Sequence, residues 1–504
     1  MTNKKQLSIG ALLSYLSIAI NIIAGLIYTP WMVQKIGQSD YGLYTLANSL
    51  ITLFLVDFGF SFATARYVSK YRAEGDQKKV DNFLGAIYKL YFVITSVIFI
   101  LLFMVYFFID TIYTQLTPVE IERFKVVYVI SATFAVINFP FVTFNGILTS
   151  YEKFVQLKLA DILYRISFVG STIIALALGY GLYALVALHA IVGLLIVLYK
   201  YIVIKKHIPV KVNFKYSEKG MYKEIFSFSI WVTLSTISTR LIFNITPSVL
   251  GMTADSGAIA IFGIVTTVEM YVYMVISAID GMFMPRISQI IIDDEKRLQP
   301  LLLKVGKYLY ILNGLIVAGF TVVGQLFIKL WVGAMYIDAY WGILLVIVPG
   351  MFYNSLQIAH TTVVATKRVY IHAWVNVVIG VINIILSFAF SKSFGVIGAC
   401  ASIFVAYMVR AILINVVYHK ILPFNMLKFA KKCYVKMSLP IIATIFVGMC
   451  INMFIQDGGW IIFIVKGIIV VFIYTIFVYL LGFGKSERKL IIQKIKTAFS
   501  GLKG

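Results

Sequence analysis

Apolar stretches recur along this sequence with a regularity that leaves little choice of fold. About fourteen of them, each roughly 20 to 28 residues long, lie at 7–33, 41–67, 83–108, 124–149, 159–178, 181–204, 226–250, 257–283, 302–329, 338–365, 370–390, 395–418, 434–455 and 460–483. A helix rises about 1.5 Å per residue, so each stretch can cross a hydrocarbon core about 30 Å thick. Hydrophobic residues make up 61% of the 504 and charged residues only 13%, more apolar surface than a soluble core of this length could bury. The expected fold is an all-α polytopic membrane protein with about 14 transmembrane helices, the spans being numbered here in chain order.

The net charge of +23 is not spread evenly. If odd-numbered spans run outward, one side collects most of the 44 Lys and Arg, and the other carries only Lys35, Arg123, Lys125, Lys329 and Lys392. Such asymmetry over short loops predicts that both termini are cytoplasmic. The basicity then reflects topology and attraction to anionic lipid, with no nucleic acid as partner. Leu7 to Val33 is too long for a signal-peptide core and lacks a small-residue cleavage pattern, so span 1 is expected to be retained. Cys400, Cys433 and Cys450 stand singly, without metal-ligand or redox spacing, and no cofactor is expected. The longest loops, near 205–225, 284–301 and 419–433, have ordinary connector length and leave no room for an external catalytic domain. In the tail from Lys485 to Gly504, Ile491, Ile495, Ala498 and Leu502 share one helical face, which suits either an interfacial helix or a solvated basic tail.

Paired landmarks indicate an internal duplication. Thr29-Pro30 in span 1 recurs as Thr246-Pro247 in span 7, and Asp57 in span 2 recurs as Asp280 in span 8. Pro140 corresponds to Pro349, Lys153 to Lys367, Gly181 to Gly395, and Arg66 to Arg286. The spacing predicts two six-helix repeats plus two C-terminal helices. The expected layout is an N-lobe at 1–204, a basic connector at 205–225, a C-lobe at 226–418, two added helices at 434–483 and a tail at 484–504. Because six is even, the two lobes keep one orientation.

Polar residues within the spans fall on stripes. Span 1 aligns Ser14, Ser17 and Asn21, and span 2 aligns Asp57, Ser61 and Thr64. Span 7 carries Thr233, Thr236, Arg240 and Asn244, and span 8 carries Glu269, Tyr273, Ser277 and Asp280. Stripes on equivalent helices of the two repeats predict a wet cleft between them. Arg240 lies about ten residues from either end of its span, some 15 Å deep, where a charge needs water or a partner. Glu269 is the expected neutraliser. Asp161 and Arg165, four apart, are expected either to neutralise each other or to serve a ligand. Arg66, Lys89, Arg410 and Lys466 lie near span ends and are expected to anchor or snorkel, while His189 is expected to pack or hydrogen-bond.

Three segments carry a resemblance: "IGQSDYGLYTLANSLITLFLVDFGFSFATARYVSKY" at 36–71, "NGILTSYEKF" at 145–154 and "VVATKRVYIHAWVNVV" at 363–378. The sequence resembles the polysaccharide transporter family of lipid-linked oligosaccharide flippases, within the multidrug/oligosaccharidyl-lipid/polysaccharide exporter superfamily. The resemblance implies alternating access that moves an undecaprenyl-pyrophosphate-linked oligosaccharide to the outer leaflet of the cell membrane. It also implies basic residues in the cavity, which fall on Arg240 and then on Arg165, Arg410 and Lys89. Asn21, Asp57, Asn244 and Glu269 complete the expected cavity. Membrane lipids and polysaccharide assembly proteins are the implied partners, and coupling to a Na+ or H+ gradient remains open. Two other classes are weighed. A multidrug or cation antiporter would more naturally show an unpaired acidic cluster. A membrane glycan polymerase or ligase would need a nucleophile-plus-base constellation that the sequence lacks.

Overall fold

A computed structural model of the chain describes residues 3–216, 219–280, 297–366, 368–422 and 424–485, with 283, 287, 289–291, 487–489 and 493 besides. The side chains of 3–12 and 278–280 fall outside that description, as do Arg286, Lys367 and Ile491, Ile495, Ala498 and Leu502 of the tail. The parts of the expected repeat that rest on Asp280, Arg286 and Lys367 therefore lie outside the described residues.

Within them the first eleven helices are α1 (Asn3–Ile36), α2 (Gln38–Phe54), α3 (Phe60–Ala73), α4 (Gln77–Ile112), α5 (Pro118–Asn138), α6 (Thr143–Ser150), α7 (Phe154–Ala177), α8 (Leu182–His207), α9 (Lys219–Phe243), α10 (Thr246–Thr253) and α11 (Ser256–Asp280). There follow α12 (Leu298–Trp331), α13 (Ala339–Asn354), α14 (Gln357–Ala365), α15 (Tyr370–Ile421), α16 (Met426–Phe454) and α17 (Trp460–Gly482). Among the described residues ten helices are long and apolar enough to cross a membrane, or up to eleven if the bent pair α13 and α14, 55° apart, is one span. Lipid-facing character is plain on α4, where Phe92, Phe99, Phe103 and Phe107 are all exposed.

The difference from fourteen uninterrupted spans has local causes. Span 2 is two helices, because Phe58 and Gly59 adopt φ of 52° and 69° and stop α2 before α3 begins. Glycine takes this left-handed conformation freely, whereas Phe58 does so at a cost of order 1 kcal/mol or more. Span 7 is likewise divided into α9 and α10, with Pro247 in the first turn of α10, where its missing N–H is no loss. Spans 11 and 12 run together as α15 across a kink at Gly395, whose φ is 55°. Gly181 immediately precedes α8, so both members of that glycine pair mark a helix start.

The chain packs as two compact units, Met1–Thr267 with Val369–Ala406, and Val268–Arg368 with Tyr407–Gly504. This division does not follow the expected 205–225 boundary. In the first unit α1 packs on α7, α7 on α8, α2 on α5 and α3 on α6, and the broken pair α9 and α10 joins them through α2 and α3. Gly42 lets α2 meet the start of α11 backbone to backbone, since a Cβ there would lie 2.1 Å from the Ser256 carbonyl oxygen. Beside this crossing Glu120 forms a capping box with Thr117 at the start of α5. Its Oε1 also accepts hydrogen bonds from Ser39 at 2.6 Å and Ser256 at 2.5 Å. One carboxylate thus ties the ends of α2, α5 and α11.

In the second unit α12 packs on α13, α16 and α17. Lys466 of α17 is 1% exposed and pairs with Asp457 Oδ1 at 2.9 Å. It does not reach for headgroups as expected, because the turn before α17 brings a carboxylate to it.

Candidate functional site

The two helix breaks of the first unit meet at a pair of charges. The last four carbonyls of any helix lack intrahelical partners, and α2 ends at Phe54. Arg240, in the last turn of α9, donates from Nη1 to one of them, the carbonyl of Thr52. Across the break Asp57 serves the start of α3: Oδ2 accepts from the Ser61 backbone N–H at 3.2 Å, and Oδ1 accepts from the Tyr91 hydroxyl. A cation at a helix C-terminus and an anion at an N-terminus both oppose the local dipole. The two side chains also lie within electrostatic reach of each other. Asn244 sits where α9 ends, its backbone N–H bonded to the Arg240 carbonyl at 2.8 Å. Arg240, Asp57 and Asn244 are therefore brought together. Among the described residues the partners of Arg240 are Thr52 and Asp57.

Beside the break the first unit forms half-open pockets with polar lining. A cavity of 400 Å³ is walled by Asn21 of α1, Asn138 of α5, Asp161 and Tyr164 of α7, and His189 and Lys200 of α8. A smaller one of 110 Å³ shares Phe134, Asn138 and His189 with it and is lined on its far side by Asn48 and Thr52 of α2. The polar lining thus runs from Lys200 to the residue that Arg240 grips. His189 sits in an aromatic box, its ring 5.2 Å from Phe168 and 5.9 Å from both Phe134 and Tyr164, with the Tyr164 hydroxyl 3.2 Å from Nε2. Gly193 makes room for Phe134, since a Cβ there would come within 2.3 Å of the ring.

The charges around this cavity are partnered differently from expectation. Asp161 pairs with Lys158, three residues back, at 3.1 Å. Arg165 points elsewhere and donates to the Asn21 carbonyl at 3.4 Å, its Nε buried without a partner. Lys200 donates to Asn145 Oδ1 at 2.9 Å, within reach of the Asp161 charge. Residue spacing assigns His189 only a packing or hydrogen-bonding role and passes over Lys200 and Asn138; Asn138 and Asn145, on either side of Pro140, are the available signal.

The other expected site residues lie apart from this cavity. Lys89 donates to the Tyr216 carbonyl at 2.9 Å and fastens α4 to the connector after α8. Arg66 is exposed. In the second unit Arg410 is 4% exposed, so it does not snorkel. Its guanidinium lies 3.8 Å from the Tyr353 ring centre and 5.2 Å from that of Tyr407, and Nη2 donates to the Tyr353 hydroxyl at 2.9 Å. Its Nε has no hydrogen-bond partner. Glu269 belongs to the same surroundings through Tyr407. No group of three or more potential metal ligands occurs among the described residues.

A family model described as "Polysaccharide biosynthesis protein" matches residues 9–291. The chain belongs to the polysaccharide biosynthesis protein family. The match takes in α1 to α11, and with them the helix breaks and the cavity. No curated protein matches the chain by sequence. Among solved structures, this family member is similar to the lipid II flippase MurJ in an inward closed conformation, with a TM-score of 0.73 and 15% identity over 96% of this chain and 99% of that one. It is similar to an inward-facing multidrug resistance transporter of the MATE family, with a TM-score of 0.68 and 13% identity over 84% and 99%. A transporter of the MOP superfamily from Pyrococcus furiosus Vc1 follows at 0.55 and 15% identity, over 82% and 93%. The polysaccharide biosynthesis protein thus has the all-helical membrane fold of a transporter.

Proposed function

We propose that the protein is a flippase that carries an undecaprenyl-pyrophosphate-linked oligosaccharide, the repeat unit of a surface polysaccharide, from the inner to the outer leaflet by alternating access. The observation that carries this reading is the polar, cation-bearing cavity of 400 Å³ within the first unit, adjoined by space that reaches Thr52 beside Arg240. Such a substrate leaves its lipid tail in the bilayer while a large anionic head must cross, and the head needs polar lining inside an apolar protein. A guanidinium offers planar, bidentate contact to pyrophosphate. Arg240 is the first contact on this reading, with Arg165 and Arg410 as further cationic positions, while Lys89 holds the connector. Membership of a polysaccharide biosynthesis family supports the glycan, and the likeness to a lipid II flippase supports the lipid-linked form. A cation exporter is disfavoured because Asp161 is already held by Lys158. The charge asymmetry supports a cytoplasmic membrane location with both termini inside. Membrane lipids and polysaccharide assembly proteins are its partners, and a Na+ or H+ gradient would supply the energy.

Proteoliposomes test this directly. The protein should expose a lipid-linked glycan loaded in the inner leaflet to an impermeant glycosidase outside, and Arg240→Ala should abolish the exposure. Efflux of cationic dyes without glycan exposure would establish the exporter instead.

A further inference from the structure

The cavity within the first unit is more specific than a polar passage. We infer that it is a sugar-binding subsite, which takes one or two residues of the glycan while Arg240 holds the pyrophosphate; the inference rests on the flippase reading above. Sugars present both apolar C–H faces and many hydroxyls, and a site for them combines aromatic rings with groups that accept and donate. This cavity has both. Phe134, Tyr164 and His189 supply rings, and Asn21, Asn138 and Asp161 supply amide and carboxylate groups. Its 400 Å³ falls in the range of about 300–1,000 Å³ that small-molecule sites occupy.

The charge balance argues against a cation as occupant. Lys200 is in the wall, and the one lining carboxylate, Asp161, is already paired with Lys158, so an entering cation would meet an ammonium group and an engaged carboxylate. A neutral or anionic polyol meets donors. The smaller cavity shares Asn138 and His189 with the larger one and reaches Thr52, the residue bonded to Arg240, and this orders the ligand with its phosphate on the Thr52 side. The sugars next to the phosphate would therefore extend along α5 and α8.

Two cysteine reporters separate this inference from the reading beneath it. In a cysteine-free background, Asn138→Cys reports the cavity and Asn244→Cys reports the Arg240 end, with Ile196→Cys as a second cavity reporter should Asn138→Cys fail to express. Labelling by a small hydrophilic maleimide is timed with undecaprenyl pyrophosphate and with the undecaprenyl-linked glycan pool extracted from the expressing cells. Bare carrier should slow Asn244→Cys only, whereas the glycan-bearing lipid should slow both, each by roughly tenfold or more, a difference of about 1.4 kcal/mol. Glycan-bearing lipid that protects Asn244→Cys but not the cavity reporter overturns the inference and leaves the flippase reading standing. So does equal protection of the cavity by bare carrier, or protection there by Na+ or a lipophilic cation alone. If neither lipid protects Asn244→Cys, the pyrophosphate reading fails instead, and protection of the cavity alone would still support the sugar subsite.

Discussion

Arg240 and Arg410 are both arginines inside apolar helices, and their surroundings have almost nothing in common. Arg240 is half-buried against backbone: its partner is a carbonyl freed where α2 ends, and Asp57 is close. Arg410 is nearly sealed among tyrosines, with one ring 3.8 Å away and, among the described residues, no acidic partner within ion-pair distance. The first guanidinium completes an interrupted helix. The second is held in place by cation–π contact worth about 0.5–2 kcal/mol and keeps one N–H uncommitted. An intramembrane charge can thus be needed by the backbone, by a ligand or by both, and its depth in the sequence does not separate these cases.

The largest effect is expected at Arg240. Arg240→Ala should reduce surface polysaccharide more than about tenfold and leave the Thr52 carbonyl unsatisfied, at a cost of about 1–3 kcal/mol in thermal stability. Arg240→Lys should recover part of the export, because the charge remains but the planar fork is lost. If Arg240 only balances Asp57, the Arg240→Ala/Asp57→Asn protein should export normally. Continued failure of a stably expressed double variant would keep the ligand role.

Arg410→Lys should come next. It keeps the charge yet loses ring stacking, so export in proteoliposomes should fall several-fold while the melting temperature moves little. A drop in stability as large as that for Arg240→Ala would erase the contrast between the two sites. The mildest change is Tyr353→Phe, which removes one hydrogen bond to Arg410 and keeps the ring. About 1 kcal/mol of stability and less than half of the export should be lost. A null phenotype there would make the hydroxyl, and not the ring, the decisive contact.

The helical fold was legible because transmembrane length and composition allow few alternatives, and the family resemblance rested on long quoted segments. The breaks were not legible. "LVDFGF" at 55–60 continues an apolar run, so periodicity carried one helix through it. Gly59 was a weak sign and Asp57 a stronger one, since a carboxylate in such a run needs N–H groups and a new helix start provides them. Partners of charges were read from sequence spacing alone. That offered Arg165 as one possible neutraliser of Asp161, whereas side-chain direction gave it Lys158, and it sent Lys466 toward headgroups when a turn residue was waiting. The cavity was missed because its walls come from four helices that each contribute only one or two polar groups.

On the flippase reading, the clasp made by Glu120 sets a scale for opening at that end of the first unit. Separating α11 from α2 and α5 at that end would break the carboxylate's bond to Ser256, worth about 1.5–3 kcal/mol with one partner ionised, and would leave its bond to Ser39 in place. That is at most about half of the roughly 5.5 kcal/mol that moves a two-state population from 99:1 to 1:99. A ligand that opened this end would have to bind the open form roughly 10- to 150-fold more tightly than the closed one to offset that bond. On that reading, this end would then open more readily with ligand bound than empty.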